Sequence, residues 1–335
     1  MIGNCPMTRR MSRDLDAAYL VLLCLLWALS GCAHLAPAVG DTDAGPQGCI
    51  LAITPRLQWD QNLGYCGEAS IQALAMYYGE YISQYQARAM VRPDQRQDVL
   101  IGTNETIVLD NLRLTYQQWD RRRQPVPQYK AYLAWIKQQL AAGHPVIATV
   151  FYPGGEFPDY DHIVPVIGFE SFHDKTGYWD DDTLFFYDNY ETSRFSRAFK
   201  TLAASRAEAD AGSLSYYIPR LEDYGCAVTG IRDSNHEAVP IQLGVDRWDE
   251  PYVVAGEEPA VMHATLAIRP LTPGRVYSLL RYDDYNAVPK ADFLAQGGYT
   301  RKQTFTASTA TEALTDTFMS NQCVIYRCVA DAKGG

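Results

Sequence analysis

A cysteine framed by two glycines at the mouth of a helical run is the strongest constraint on this chain. The stretch reads Gly64-Tyr65-Cys66-Gly67-Glu68-Ala69-Ser70 and runs on to Tyr77-Tyr78-Gly79. Gly64 and Gly67 permit a tight turn and keep bulk away from the sulfur. Ala69, Ala73, Met76 and Tyr77 fall on one face at helical spacing, which predicts a helix from Cys66 to Tyr78 with Gly79 as its stop. The N-terminus of such a helix carries unpaired N–H groups and partial positive charge, which favour thiolate over thiol. Gln61, just upstream, offers an amide for a developing oxyanion. A buried, inert cysteine gives the same local pattern. The choice therefore turns on whether a base and its orienter exist elsewhere.

His162 is the best base. It closes Asp159-Tyr160-Asp161-His162 and opens the apolar run 163–169, IVPVIGF. A loop-to-strand junction is where a side chain can reach a cleft. The orienter belongs on a neighbouring strand, and the apolar run 183–187, TLFFY, ends in Asp188 and Asn189. Side chains alternate along a strand, so only one of the two is expected to face His162, and Asp188 is the choice. The other histidines fit less well. His34 is near the N-terminus, His144 sits in a turn before Pro145, His173 in a polar loop, and His236 and His263 in the last third of the chain.

Around this trio the pattern is helices first, then strands. Residues 81–90 read as a short helix and 92–128 show no clear period. Residues 130–142 form an amphipathic helix with Tyr132, Leu133, Ile136 and Leu140 on its apolar face. Runs 145–152, 163–169 and 183–187 are strands, followed by a helix near 198–206 and a strand near 214–219. Asp180-Asp181-Asp182 reads as a solvated turn, since the spaced ligands of a calcium loop are missing. The whole is an α+β arrangement. After Glu222 the character turns all-β, with candidate strands at 227–231, 241–245, 262–269, 276–282, 303–307 and 324–329. Short strands with turn signals between them predict a sandwich of about 100 residues.

Residues 1–32 have the build of an export signal. Arg9, Arg10 and Arg13 precede an apolar run of 14 residues, Ala17 to Ser30, shorter than the roughly 20 needed to span a bilayer. The run ends in Leu29-Ser30-Gly31-Cys32, which resembles a bacterial lipobox. That resemblance implies lipidation of Cys32, a tether at 33–48, and a place in the cell envelope. Ala33 after the cysteine implies the outer membrane under the sorting rule of such signals. The net charge of −10 and the lack of a basic patch argue against a nucleic-acid partner. Among the remaining cysteines, Cys323 and Cys328 lie on one expected strand, ~16 Å apart and on opposite faces, too far for a bond that needs about 7 Å. Pairing with Cys49 or Cys226 stays open. No cofactor motif or metal-ligand spacing stands out.

Cysteine at a helix start, histidine opening a strand and an acid ending the next strand is the order of the papain-like fold. More narrowly, residues 58–220 resemble cysteine peptidase family thirty-nine. The matching pieces are Tyr65-Cys66-Gly67-Glu68-Ala69-Ser70 with Tyr77-Tyr78-Gly79, then Gly143-His144-Pro145-Val146-Ile147, then Asp161-His162-Ile163-Val164-Pro165-Val166-Ile167-Gly168, then Tyr187-Asp188. The resemblance implies Cys66 as nucleophile, His162 as base, Asp188 as orienter and a glutamine in the oxyanion hole. In the family five residues separate that glutamine from the cysteine; Gln61 leaves four and Gln58 seven. The double-glycine peptidases of the family are typically fused to transporters; none is present here, so no substrate is carried over. The expectation is a papain-like peptidase domain at 49–222 and a β-sandwich-like accessory domain at 223–335. The expected function is a lipid-anchored cysteine peptidase acting on peptide or protein. The alternative is a surface binding lipoprotein that keeps the fold without the chemistry. A cell-wall endopeptidase of the NlpC type fits poorly, because Tyr65 and Gly67 stand where that family has aspartate and serine.

Overall fold

The computed structural model describes residues 46–59, 64–94, 104–152, 160–211 and 220–331. Cys32, Gln61 and the strand expected at 214–219 lie outside the described residues. The chain runs β1 (Gln47–Ile50), α1 (Cys66–Tyr77), β2 (Glu80–Ile82), α2 (Gln84–Val91), α3 (Glu105–Asn111), β3 (Leu114–Gln118), α4 (Tyr129–Ala141), β4 (Val146–Tyr152) and β5 (Tyr160–Ser171). It continues with β6 (Thr183–Tyr187), β7 (Arg194–Ala198), α5 (Phe199–Ala211), β8 (Gly225–Ile231), β9 (Ala238–Val239), β10 (Ile241–Val245), β11 (Val261–Ile268), β12 (Val276–Tyr282), β13 (Arg301–Thr306), β14 (Glu312–Met319) and β15 (Cys323–Ala330).

The strands form three sheets. The first is antiparallel in the order β3-β8-β4-β5-β6-β7. Its long strand β5 takes β4 beside its first half, β1 beside its second half and β6 along the other edge. The second sheet runs β13-β12-β15-β2, with β9 also on β15, and the third runs β10-β11-β14. The last two face each other across a core that includes Leu243, Met262, Leu266, Leu279, Val324 and Tyr326. Strand β11 shows why: Met262, Ala264, Leu266 and Ile268 are buried while Val261, His263 and Thr265 are exposed, the period of a strand with one wet face. Mixed helices and sheets fit the α+β expectation.

Two pairings cross the boundary expected at 222. Strand β8 was expected to open the second domain. It lies instead between β3 and β4 in the first sheet. Strand β2 falls where a helix was expected to begin, and it pairs with β15 in the second sheet. An apolar run such as 225–231 announces a strand but carries no information about which sheet receives it. The described part of the stretch 92–128 holds α3 and β3, and β7 and β14 are strands that the apolar pattern did not reveal.

Helix α1 is the pivot between these layers. Every residue from Cys66 to Met76 is buried, so the one-faced pattern expected for it understates its burial. Small residues, Gly67, Ala69, Ser70, Ala73 and Ala75, let neighbours approach from all sides. Ile71 and Leu74 belong to the core of the first sheet and Met76 to that of the other two. The helix ends at Gly79, whose φ is +76° and whose added Cβ would meet Ile241 Cβ at 2.9 Å. Only glycine meets both conditions, the left-handed backbone and the close approach of β10.

Candidate active site

Cys66 is the first residue of α1, after Tyr65, and no side chain caps this end among the described residues. Helix continuity begins with the Ala69 N–H donating to Tyr65 O at 2.9 Å. The segment is gripped by Arg88, reaching back from α2. Its Nη2 donates to Gly64 O at 2.6 Å, its Nε donates to the Glu68 carboxylate, and its guanidinium lies 3.4 Å from the Tyr65 ring centroid. One buried cation thus holds residues 64, 65 and 68 on both sides of the sulfur. Burial pushes the Glu68 pKa up to about 7, opposed by Arg88, and pushes Tyr65 up to about 12. Tyr65 also meets Trp59 and Tyr252 edge to face, with centroids 4.9 Å and 6.4 Å away.

His162 sits on β5 opposite Val150 of β4 and is fully buried. Its Nε2 makes a close hydrogen bond with the main-chain oxygen of Asp188, just past the end of β6. A carbonyl oxygen can only accept, so Nε2 carries the proton and Nδ1 carries the lone pair. The Asp188 carboxylate lies farther off, with Oδ1 3.9 Å from Nε2, and Oδ1 accepts from the Tyr190 N–H at 3.1 Å. Burial lowers the His162 pKa below its ordinary value, while the hydrogen bond and charge of Asp188 pull it up. Tyr190 covers the imidazole, with ring centroids 5.0 Å apart and planes 21° apart. Asp188 therefore meets His162, chiefly through its backbone.

Asn189 does what sequence reasoning did not foresee. Its Nδ2 lies 3.1 Å from Cys66 O, 3.0 Å from Ser70 Oγ and 3.0 Å from Ile163 O. Ser70 Oγ in turn donates to Ile163 O at 3.2 Å. One buried amide thus joins the first residue of α1 to the residue after His162. The alternation rule set Asn189 aside because it treats 188 and 189 as strand. Strand β6 stops at Tyr187, and Asn189 takes φ +69°, the left-handed region that asparagine tolerates.

The glutamine expected near the sulfur, Gln61, falls outside the described residues. Gln58 is described and buried. Its N–H donates to Asn189 O at 2.8 Å, and its Oε1 has no hydrogen-bond partner among the described residues. The last third of the chain also reaches the site. Glu250 accepts from Gln72 of α1 at 2.9 Å, from Tyr81 of β2 at 2.8 Å and from the Gln84 N–H of α2 at 2.7 Å, while its main-chain oxygen accepts from Trp59 Nε1 at 2.9 Å.

The remaining chemistry-bearing residues lie elsewhere. Asp182, expected in a solvated turn, is buried and paired with Lys137 at 2.5 Å. Burial pushes the Cys328 thiol up to about 12 and raises Cys226 and Cys323 as well. Among the described residues no cluster of histidine, cysteine and carboxylate is placed to hold a metal ion.

Residues 50–205 match the model of a family described as Peptidase_C39 like. That span holds Cys66, His162, Asp188 and Asn189, and it supports a cysteine peptidase domain of this type in the chain. No curated protein matches the chain.

Proposed function

We propose that this chain is a cysteine peptidase held by a lipid on Cys32 outside the cytoplasm of a bacterial cell, with peptide or protein as substrate. One observation carries the chemical part. The Asp188 carbonyl fixes the proton on Nε2 of His162, and the amide of Asn189 binds the next residue's carbonyl and that of Cys66 together. Nucleophile and base thereby sit on adjacent backbones with the imidazole lone pair on Nδ1.

In this reading Nδ1 of His162 takes the proton from Cys66 Sγ as the sulfur attacks the scissile carbonyl carbon. The new C–S bond leaves an oxyanion, which the Cys66 N–H at the start of α1 and a glutamine amide stabilise. Gln61 is the glutamine expected from the sequence; Gln58, beside Asn189, is the described one buried next to this site. Collapse breaks the C–N bond and His162 hands its proton to the departing amine. Water, deprotonated by the same nitrogen, then releases the acid and restores the thiol. Buried His162 has a lowered pKa, which leaves it neutral near pH 7 and able to act as base.

The test is labelling with a peptide acyloxymethyl ketone. Wild type should be labelled at Cys66 alone, and Cys66→Ala and His162→Ala should not be labelled. Equal labelling of wild type and His162→Ala would remove the base from the reading.

A further inference from the structure

A pocket of about 230 Å³ opens beside the candidate site. Its walls include Gln58, Trp59, Tyr190, Asp249, Tyr252 and Glu257. Two of these rings tie it to the chemistry. Tyr190 lies against His162, and Trp59 packs edge to face on Tyr65, the residue before Cys66. Asp249, Tyr252 and Glu257 come from outside the 50–205 span that matches the family, so this wall belongs to the chain's own C-terminal part.

The lining has a consistent sign. Asp249 and Glu257 bring carboxylates, and among the described residues no lysine or arginine lines the pocket. Among the described residues Asp249 pairs with Arg247 at 3.3 Å, and that pair is largely exposed, where such pairs are weak and readily exchanged. Glu257 accepts only a main-chain N–H, from Tyr252 at 2.8 Å, among the contacts of the described residues. Gln58, 8% exposed, contributes an Oε1 without a hydrogen-bond partner among the described residues. Buried polar atoms without partners are rare, and a turn of the Gln58 amide towards the pocket would let a donor of the ligand complete this one. Three aromatic rings, Trp59, Tyr190 and Tyr252, complete the wall, and such rings attract a cation to their faces. Carboxylates, an unfilled acceptor and aromatic faces suit one class of group, a cation with several N–H donors.

We propose that this pocket receives a lysine or arginine side chain of the peptide whose scissile bond lies at Cys66. The proposal rests on the peptidase reading above and gives it a substrate class: peptides with a basic residue close to the cleavage point.

The test uses the full chain and peptide acyloxymethyl ketones carrying lysine, norleucine or glutamate, varied in turn at each position preceding the ketone. The labelling rate at Cys66 is divided by the same protein's rate with iodoacetamide. At one position lysine should exceed glutamate by about tenfold, the scale of one charge pair plus one cation–π contact at a partly exposed site. Asp249→Asn with Glu257→Gln should collapse that ratio towards one; glutamine at 257 keeps an acceptor for the Tyr252 N–H. Equal rates at every position in wild type, or a ratio untouched by the double variant, overturns the pocket. If no peptide probe labels Cys66, the peptidase reading fails by itself. The pocket is then judged by fluorescence anisotropy of labelled lysine and glutamate peptides, where a lysine preference lost in the double variant supports it and equal binding overturns it.

Discussion

The side-chain amide of Asn189 lies 3.1 Å from the main-chain oxygen of Cys66. It bonds on the far side to the Ile163 carbonyl at 3.0 Å, so it sets the spacing between α1 and β5. Removing it takes one N–H donor from the buried Cys66 and Ile163 carbonyls and one partner from the Ser70 hydroxyl, which keeps its bond to Ile163 O. Asn189→Ala should cost about 3 kcal/mol, the upper range for an unsatisfied buried group. Asn189→Asp should cost more, because a carboxylate has no N–H to give and would face two carbonyl oxygens. Urea unfolding checks both, and a loss of less than about 0.5 kcal/mol in either would mean the amide is not a tie.

The sequence made some of this legible and hid the rest for identifiable reasons. Helix α1 and strands β4, β5, β6, β10 and β12 were readable because apolar side chains recur at 3.6 or run unbroken through a buried sheet. Strands β7 and β14 were not, because their outer faces are polar and one flank of each is open: Arg194-Phe195-Ser196-Arg197 and Glu312-Ala313-Leu314-Thr315 carry little apolar signal. Cys66, His162 and Asp188 could be chosen by residue type and by position at element ends. Arg88 could not, because its partners Glu68 and Gly64 lie 20 and 24 residues away and only the fold brings them together. Asn189 was visible only as a rival to Asp188 for facing His162; its ties to Cys66 O and Ile163 O depend on segments that only the fold brings together.

The strand exchange makes a prediction about independence. A chain ending at residue 222 lacks β8, which sits between β3 and β4, and it leaves β2 without β15. It should show no cooperative unfolding transition, although it contains every candidate catalytic residue. Extending it to 231 restores the first sheet but still exposes the β2 edge and Met76. Cooperative unfolding of residues 46–222 alone would show that β8 is dispensable.

Arg88 and Glu68 form a buried pair that holds the backbone on either side of Cys66. Arg88→Met removes the grip on Gly64 O and leaves a buried carboxylate. The cost should be about 3–5 kcal/mol with the charge unpaired, less if Glu68 takes up a proton. Glu68→Gln in the same chain removes the orphaned charge, so the double variant should be more stable than Arg88→Met. Peptide-probe labelling should fall in both, since neither restores the hold on Gly64. Thermal unfolding with labelling rates separates the two effects.

The lipid anchor is tested apart from the fold. Expressed in a bacterium, the full chain should take up labelled palmitate and partition into the detergent phase, and Cys32→Ser should do neither. Palmitate retained in Cys32→Ser would place the lipid elsewhere or remove it from the proposal.

His162 gives the chain a pH signature with a definite sign. In the unfolded chain its pKa is about 6.5. In the folded chain burial lowers it, with Asp188 only partly opposing. Between those two values the unfolded chain binds more protons than the folded one, so stability rises with pH there. Its contribution is therefore present above about pH 6.5 and is lost as the pH falls towards the folded pKa; each unit of depression is worth about 1.4 kcal/mol. Asp188→Asn removes the charge that favours imidazolium but keeps the main-chain oxygen that accepts from Nε2. The folded pKa should drop further while the tautomer stays. Urea unfolding between pH 8 and pH 5 should show an acid-side loss in wild type, a larger one in Asp188→Asn and a smaller one in His162→Gln. Imidazole NMR should place the His162 titration below 6.5 in wild type and lower still in Asp188→Asn. A His162 that titrates above 6.5 in wild type would reverse the sign, and Cys66 would then rest beside an imidazolium before substrate arrives.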